Sequence, residues 1–209
     1  MARHPSSTSS LRSPQTLYGR RVMLRPLQPP DFAEWSEVRR RNEAWLTPWE
    51  PRRPLGQLDP TVNRDAFSAR CTARDRDSAA GVAYGFGLFV DRRFAGEINL
   101  NHVLRGAMQS ATVGYWIDQA WAGQALVAEG VVVLAEFAFE QLDLHRLEIC
   151  IVPRNSNSRR VMEKIGIRDE GLAERFLEIN GVWEDHVRYA MTSEEWSVRR
   201  DDLIATWAY

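Results

Sequence analysis

The chain has 209 residues, 44% hydrophobic and 26% charged, a balance that excludes disordered and collagen-like classes and fits one globular domain with its own core. Its 27 basic and 28 acidic side chains leave a formal net charge of -1, so no global field draws it to nucleic acid or an anionic membrane. Lys164 is the sole lysine and the rest of the basic residues are arginines, which either a biased genome or a use for planar guanidinium contacts explains. Cys71 and Cys150 lack CxxC spacing; this argues against a disulfide framework or metal site and fits a reducing cytoplasm. The longest apolar run, 125–139, is broken by Glu129 and Glu136 and is too short to span a bilayer. Residues 1–15 contain no hydrophobic core of the signal-peptide kind, so they read as a flexible tail ahead of a single domain over 16–209.

In chain order, Val22 to Leu27 reads as a short strand, and Asp31 as the cap of a helix that buries Phe32, Trp35 and Val38. The proline-rich stretch Leu46 to Pro51, with Trp45 and Trp49, reads as a loop, because proline removes a donor and restricts its predecessor. A second helix is expected from Asp59-Pro60-Thr61, with Val62, Phe67 and Cys71 inside, Arg64, Arg70 and Arg74 mostly outside, and an end in the charged run 74–77. From Gly81 the period becomes strand-like, giving three segments, 83–90, 94–103 and 111–118, that read as an antiparallel meander. Val127, Val131, Leu134 and Ala138 then recur at helical spacing and form a buried face.

His145 to Val152 reads as a further strand, followed by a polar cap at Asn155 to Ser158 and a helix that closes at Gly166. Strands at 172–179 and 182–191 flank Asn180-Gly181, a strong two-residue hairpin signal. Thr192 and Glu195 form a capping box for a last helix. The order β-α-α-β-β-β-α-β-α-β-β-α excludes the alternation of a Rossmann domain and predicts a mixed α/β sheet with one strand-loop-helix crossover. The strands at 111–118 and 145–152 are expected to run side by side and part at their C-terminal ends.

Gly114-Tyr-Trp-Ile-Asp118, His145-Arg-Leu-Glu148, the run from Asn155 to Gly166, Glu170-Gly171, Arg25-Pro26-Leu27, Trp49 with Pro51, and Asn180-Gly-Val-Trp-Glu-Asp-His186 together resemble the GNAT acetyltransferases. Within that family they look like the RimJ/RimL-like branch that acetylates ribosomal-protein N-termini. The resemblance implies the GNAT acyl-CoA N-acyltransferase fold, a splayed central sheet flanked by helices. It also implies acetyl-CoA as co-substrate without a metal, and a primary amine as acceptor, a protein N-terminal amine foremost. A small-molecule amine, such as an antibiotic or polyamine, and a binding protein that has lost catalysis are the alternatives. A homodimer is compatible with the resemblance.

By that resemblance, backbone at Trp116, Ile117 and Asp118 pairs with the pantetheine arm as an added strand. N–H groups over Gly123, Gln124, Ala125, Leu126 and Val127 meet the pyrophosphate at a helix N-terminus. The family usually places Arg or Gln, Gly, and Gly or Ala where this chain has Ala122, Ala125 and Val127, so weak cofactor binding is expected. Asn155 corresponds to the asparagine that steadies the pantetheine end and Ser158 to a residue near the CoA sulfur, although each also reads as a plain helix cap. The tyrosine that many members use as general acid falls at Met162, which leaves Ser158 as proton donor to the thiolate. Glu178, on the hairpin strand that lines the acceptor side, is the first choice for the base, with Glu97 and Glu148 behind it. A position where relatives carry a glutamate is Cys150 here, read as a small buried thiol. Trp45 and Trp49 either wall the acceptor groove or join the core. Arg39, Arg40 and Arg41 read as a solvated helix end, and His102, His145 and His186 are too scattered for a metal site.

Overall fold

Near-continuous burial over residues 84–90 and 94–100 marks these as strands covered on both faces in the middle of a sheet, and the apolar stripe that follows covers one of those faces. The computed structural model describes residues 16–208; the proposed tail at 1–15 and Tyr209 lie outside the described residues. The elements begin with β1 (Leu17–Tyr18), β2 (Val22–Arg25), α1 (Phe32–Arg41), α2 (Glu43–Leu46) and α3 (Arg64–Ala79). The meander follows as β3 (Tyr84–Val90), β4 (Arg93–Leu104) and β5 (Ser110–Ile117), then α4 (Leu126–Glu136), whose end widens into a π turn over Phe137–Gln141. Next come β6 (Arg146–Ile151), α5 (Ser156–Ile165), the hairpin β7 (Arg168–Ile179) and β8 (Val182–Thr192), and α6 (Ser193–Trp207).

The eight strands form one sheet in the order β1-β2-β3-β4-β5-β6-β8-β7. Every neighbouring pair is antiparallel except β5 and β6. These two pair only from Ser110 and Arg146 to Thr112 and Glu148, and then part as expected. Beyond that point β5 keeps β4 as its partner, with Gly114 opposite Asn99, while β6 is held by β8 along Arg146–Ile151. A wedge opens because each strand is satisfied on its outer side.

One face of the sheet packs Leu88, Ile98 and Leu100 with the buried side chains of α4, where Val131 and Leu134 are nearly inaccessible. The other face packs Trp35 and Val38 of α1 and Phe67 and Cys71 of α3 against Phe89 and Phe94. Each such side chain contributes roughly 1.5–3 kcal/mol by leaving water. Glu129 on α4 is buried but fully used, accepting from the backbone of Arg21 at 2.5 Å and Val22 at 2.9 Å.

The second helix starts later than its prolines suggest. Asn63 caps it by accepting from Ala66 N at 2.9 Å, whereas Asp59 folds onto Thr61 in its own turn. Val62 is consequently exposed rather than buried, and the helix runs past the charged 74–77 stretch to Ala79. Arg70 and Arg74 turn inward onto Glu97 instead of facing solvent. The proline-rich loop holds two short regular pieces, α2 and a 3-10 turn over Thr47–Trp49, where Pro48 sits in the first turn and needs no donor. The hairpin begins at Arg168, four residues before the expected strand, and reaches that length only through two irregularities in register. Its turn has positive φ at both Asn180 and Gly181, the two-residue geometry their sequence demands.

Candidate active site

The wedge between β5 and β6 opens onto a cavity of about 610 Å3. Its walls are the end of β5, the loop at 119–123, the first turn of α4, and α5 from Asn155 to Lys164. The loop is anchored from behind. Asp118 is buried and its carboxylate accepts from Arg41, from Asn42 Nδ2 at 2.8 Å and from Ala120 N at 3.2 Å. Asn42 Oδ1 in turn takes Gln119 N at 2.9 Å, so the end of α1 holds the strand-to-helix turn in place.

The first intrahelical bond of α4 runs from Glu129 N to Ala125 O at 3.1 Å. The N–H groups of Leu126, Val127 and Ala128 therefore have no acceptor within the helix, and all three residues line the cavity. Unsatisfied donors and the helix dipole together make this wall suited to a phosphate group. Ala125 caps the helix with φ +62°, a left-handed conformation that glycine adopts without cost. Ala125→Gly is expected to stabilise the protein by up to about 1 kcal/mol, read from its thermal midpoint. Combined with Ala122→Arg and Val127→Ala it is expected to tighten CoA in calorimetry; no gain on both counts refutes the strain and crowding invoked here.

Trp116, Ile117, Gly123, Ala125, Leu126, Val127, Asn155 and Ser158 share this cavity with Trp45 and Trp49. The two tryptophans are half-buried beside the wedge, neither in the core nor on the broader cavity described below. Trp45 Nε1 donates to the Ile117 carbonyl at 3.1 Å, and Arg154 stacks on Trp49. Gln124 points outward, its Nε2 reaching back to Ala120 O at 3.5 Å, and neither it nor Asp118 lines the cavity. Asn155 caps α5 by accepting from Ser158 N at 3.1 Å, so the capping reading and the cavity position hold together.

Four residues on this lining carry no role in the sequence reading: Glu50, Tyr115, Arg160 and Lys164. Tyr115 places its hydroxyl 2.7 Å from Ser158 Oγ. Burial pushes its phenol up, only partly offset by the Ser158 bond, so it stays protonated. Strand parity carried the signal, since Val113 and Tyr115 both face α4 and α5, while Met162, where the family's acid was sought, is sealed in the core. Arg160 and Lys164, one helical turn apart on α5, add the positive charge that Ala122 lacks.

On the opposite face lies an open cavity of about 1500 Å3, bounded by α1, α3, the chain from 50 to 62 and the hairpin turn at Asn180. The two cavities share Leu46, Glu50 and Trp116. Arg39 clamps the Glu50 carboxylate through two bonds of 2.7 Å and lies 4.9 Å from the centre of the Trp116 ring, so it is not the solvated residue its neighbours suggest. Asn180 N donates to Glu50 O at 2.8 Å and seats the hairpin against this junction.

Glu178 stands exposed on β7 opposite Trp183, outside the lining of both cavities. Glu97 is buried under Trp35, Arg70 and Arg74. Burial alone would raise its carboxyl, but the two guanidiniums and the indole N–H overcome that and hold it down to about 2, too weak a base for neutral pH. Glu148 is occupied by Arg146 and Arg188. Cys150 is half-buried, with burial pushing its thiol up. His145 pairs with Glu194, and His186 is buried with Nδ1 2.9 Å from Glu184 O. Among the described residues no group of His, Cys, Asp or Glu is arranged to hold a metal ion.

A family profile described as "Acetyltransferase (GNAT) domain" matches residues 21–168. The Bacillus subtilis protein named "Probable N-acetyltransferase YjcK" is 34% identical over 172 residues, 81% of this chain and 93% of that protein. The [ribosomal protein uS5]-alanine N-acetyltransferase of Escherichia coli is 29% identical, over 86% of this chain and 92% of its own. Among solved structures, Mycobacterium smegmatis RimJ in complex with CoA-disulfide superposes with a TM-score of 0.78 at 32% identity, covering 87% of each chain. The chain belongs to the GNAT family and is an acetyl-CoA-dependent N-acetyltransferase.

Proposed function

We propose that this protein acetylates the α-amine of a protein N-terminus, of the ribosomal-protein type, in the cytoplasm and by direct attack in a ternary complex. The observation that carries the reading is the junction of the two cavities: a narrow one with phosphate-suited helix N-termini and a broad one open to a chain end meet at Leu46, Glu50 and Trp116. The names of the uS5-alanine acetyltransferase and RimJ relatives support a protein acceptor. No helix among the described residues is long and apolar enough to cross a membrane. The catalytic domain is taken to span residues 16–209.

Acetyl-CoA supplies the activated acetyl group. Free N–H groups of Leu126, Val127 and Ala128, with Arg160 and Lys164, hold its phosphates, and the cavity along Trp116 and Ile117 takes the pantetheine arm. Ser158 donates a proton to the departing thiolate, and Tyr115 hands one on to Ser158. The amine must lose a proton to attack. Glu50, which lines both cavities at the junction, is the better placed acceptor for it and takes the proton through a water on the lone pairs that Arg39 leaves open, whereas Glu178 lies outside both cavities.

Peptides copying ribosomal-protein N-termini, incubated with acetyl-CoA, are expected to gain one acetyl group on the α-amine by fragment mass spectrometry. Turnover of polyamines with all such peptides left unmodified overturns the protein-acceptor reading. Glu50→Gln is expected to flatten the rise of kcat/KM with pH more than Glu178→Gln does; the reverse order returns the base to Glu178.

A further inference from the structure

The floor of the broad cavity carries more positive charge than its carboxylate balances. Glu97 has a side chain 1% exposed and receives Arg70 Nη2 at 2.6 Å, while Arg74 Nη1 lies 2.7 Å from the same oxygen. Two guanidiniums thus share one carboxylate, whereas Arg39 has Glu50 and Arg53 has Asp59. Both Arg70 and Arg74 line the cavity with about a quarter of the side chain still exposed. Arg70 Nη1 and Asn99 Oδ1 are buried at this floor without a hydrogen-bond partner, and Arg74 Nη1 has only the Glu97 oxygen it shares with Arg70. Burial pulls the Arg74 guanidinium down from its ordinary value by more than Glu97 restores, the mark of a cation short of counter-charge.

The sheet makes room for this arrangement. Gly85 on β3 sits opposite Asn99, and a Cβ there would come within 3.0 Å of Arg74 Cδ and Nη1. An alanine would push the guanidinium away from the floor. The register puts Glu97 opposite Trp116 and Asn99 opposite Gly114, so the floor starts beside the junction where the acceptor amine meets the acetyl donor.

We propose that Arg70, Arg74 and Asn99 form a specificity subsite for an acidic side chain near the N-terminus of the acceptor peptide. The two arginines take its carboxylate, and Asn99, whose unpartnered Oδ1 is buried beside them, turns its amide outward to accept a peptide N–H. An extended chain advances about 3.3 Å per residue, so a peptide with its amine at Trp116 lays its second and third residues over the floor. The inference rests on the protein-acceptor reading above and adds which N-termini are chosen.

The test uses C-terminally amidated peptides with alanine first and Asp, Asn or Lys at position two or three, so that the side chain is the one variable carboxylate. With the wild-type protein, kcat/KM for the best Asp peptide is expected to exceed that for its Asn counterpart by about ten- to a hundredfold, with Lys lower still. Arg70→Gln and Arg74→Gln are expected to bring the Asp-to-Asn ratio to within about twofold of unity. The wild-type comparison needs no variant and decides the matter even where a variant fails to fold. Equal turnover of Asp and Asn peptides overturns the subsite and leaves the protein-acceptor reading standing. A preference that survives both arginine changes overturns the assignment to these residues. Acetylation of polyamines with no peptide modified overturns the protein-acceptor reading and the subsite together.

Discussion

Ser158→Ala is expected to lower kcat by roughly a hundredfold or more while the Kd for acetyl-CoA moves by less than about threefold. The thiolate of CoA leaves with an unshared charge, and a positioned proton donor matters in the transition state rather than in binding. Ser158 has a neighbour that makes the prediction sharper: Tyr115, 2.7 Å away and held protonated by burial, restores its proton in the mechanism proposed above. Tyr115→Phe should therefore cost less than Ser158→Ala, and the double variant should cost little more than Ser158→Ala alone, because the two hydroxyls act as one unit. Single-turnover kinetics with a saturating peptide separate the chemical step from product release. An unchanged single-turnover rate in Ser158→Ala removes it from the mechanism, and additive losses in the double variant show that the hydroxyls act independently.

The largest loss of stability is expected from Glu97→Gln, about 3–5 kcal/mol at neutral pH, because removing one partner of a buried ion pair leaves uncompensated charge. Trp35 Nε1, 2.6 Å from Glu97 Oε1, keeps an acceptor in the variant, so the loss reports on the guanidiniums of Arg70 and Arg74. The folded-state carboxyl lies at about 2, below its unfolded value near 4.5. Its stabilisation is thus fully present above about pH 4.5 and disappears as pH falls toward 2. Urea unfolding of both proteins across that range should show a constant gap at higher pH that closes on acidification. A gap under about 1 kcal/mol at neutral pH would mean that the arginines find other partners.

Local spacing made much of the architecture legible. The apolar strand runs within 84–117, the stripe from Val127 to Ala138, Asn155 and Gly166 at the ends of α5, the Asn180-Gly181 turn and the Thr192 capping box are decided by residues within a few positions of each other. The order of elements then confined β5 and β6 to parallel neighbours, and with it came the wedge that holds the donor cavity. Boundaries were less legible where two signals compete, as at Asp59-Pro60-Thr61, which marks a turn, whereas the cap is Asn63.

The sequence by itself thus determined the family, the sheet and many of the residues that gather around the wedge, since these depend on periodicity, caps and motifs read in succession. Only the tertiary structure decided which side chains meet. Tyr115 and Ser158 are far apart in the chain and touch because β5 and α5 face each other across the gap. Glu97 reads on its strand as a free carboxylate, yet α1 and α3 close over it with an indole and two guanidiniums and remove it as a base. Glu178 reads as an acceptor-side residue, yet the hairpin leaves it in solvent and seats Asn180 against Glu50 instead. The physical reason is common to all three: a titratable group's role depends on desolvation and on partners brought from distant segments, and neither leaves a periodic trace in the chain.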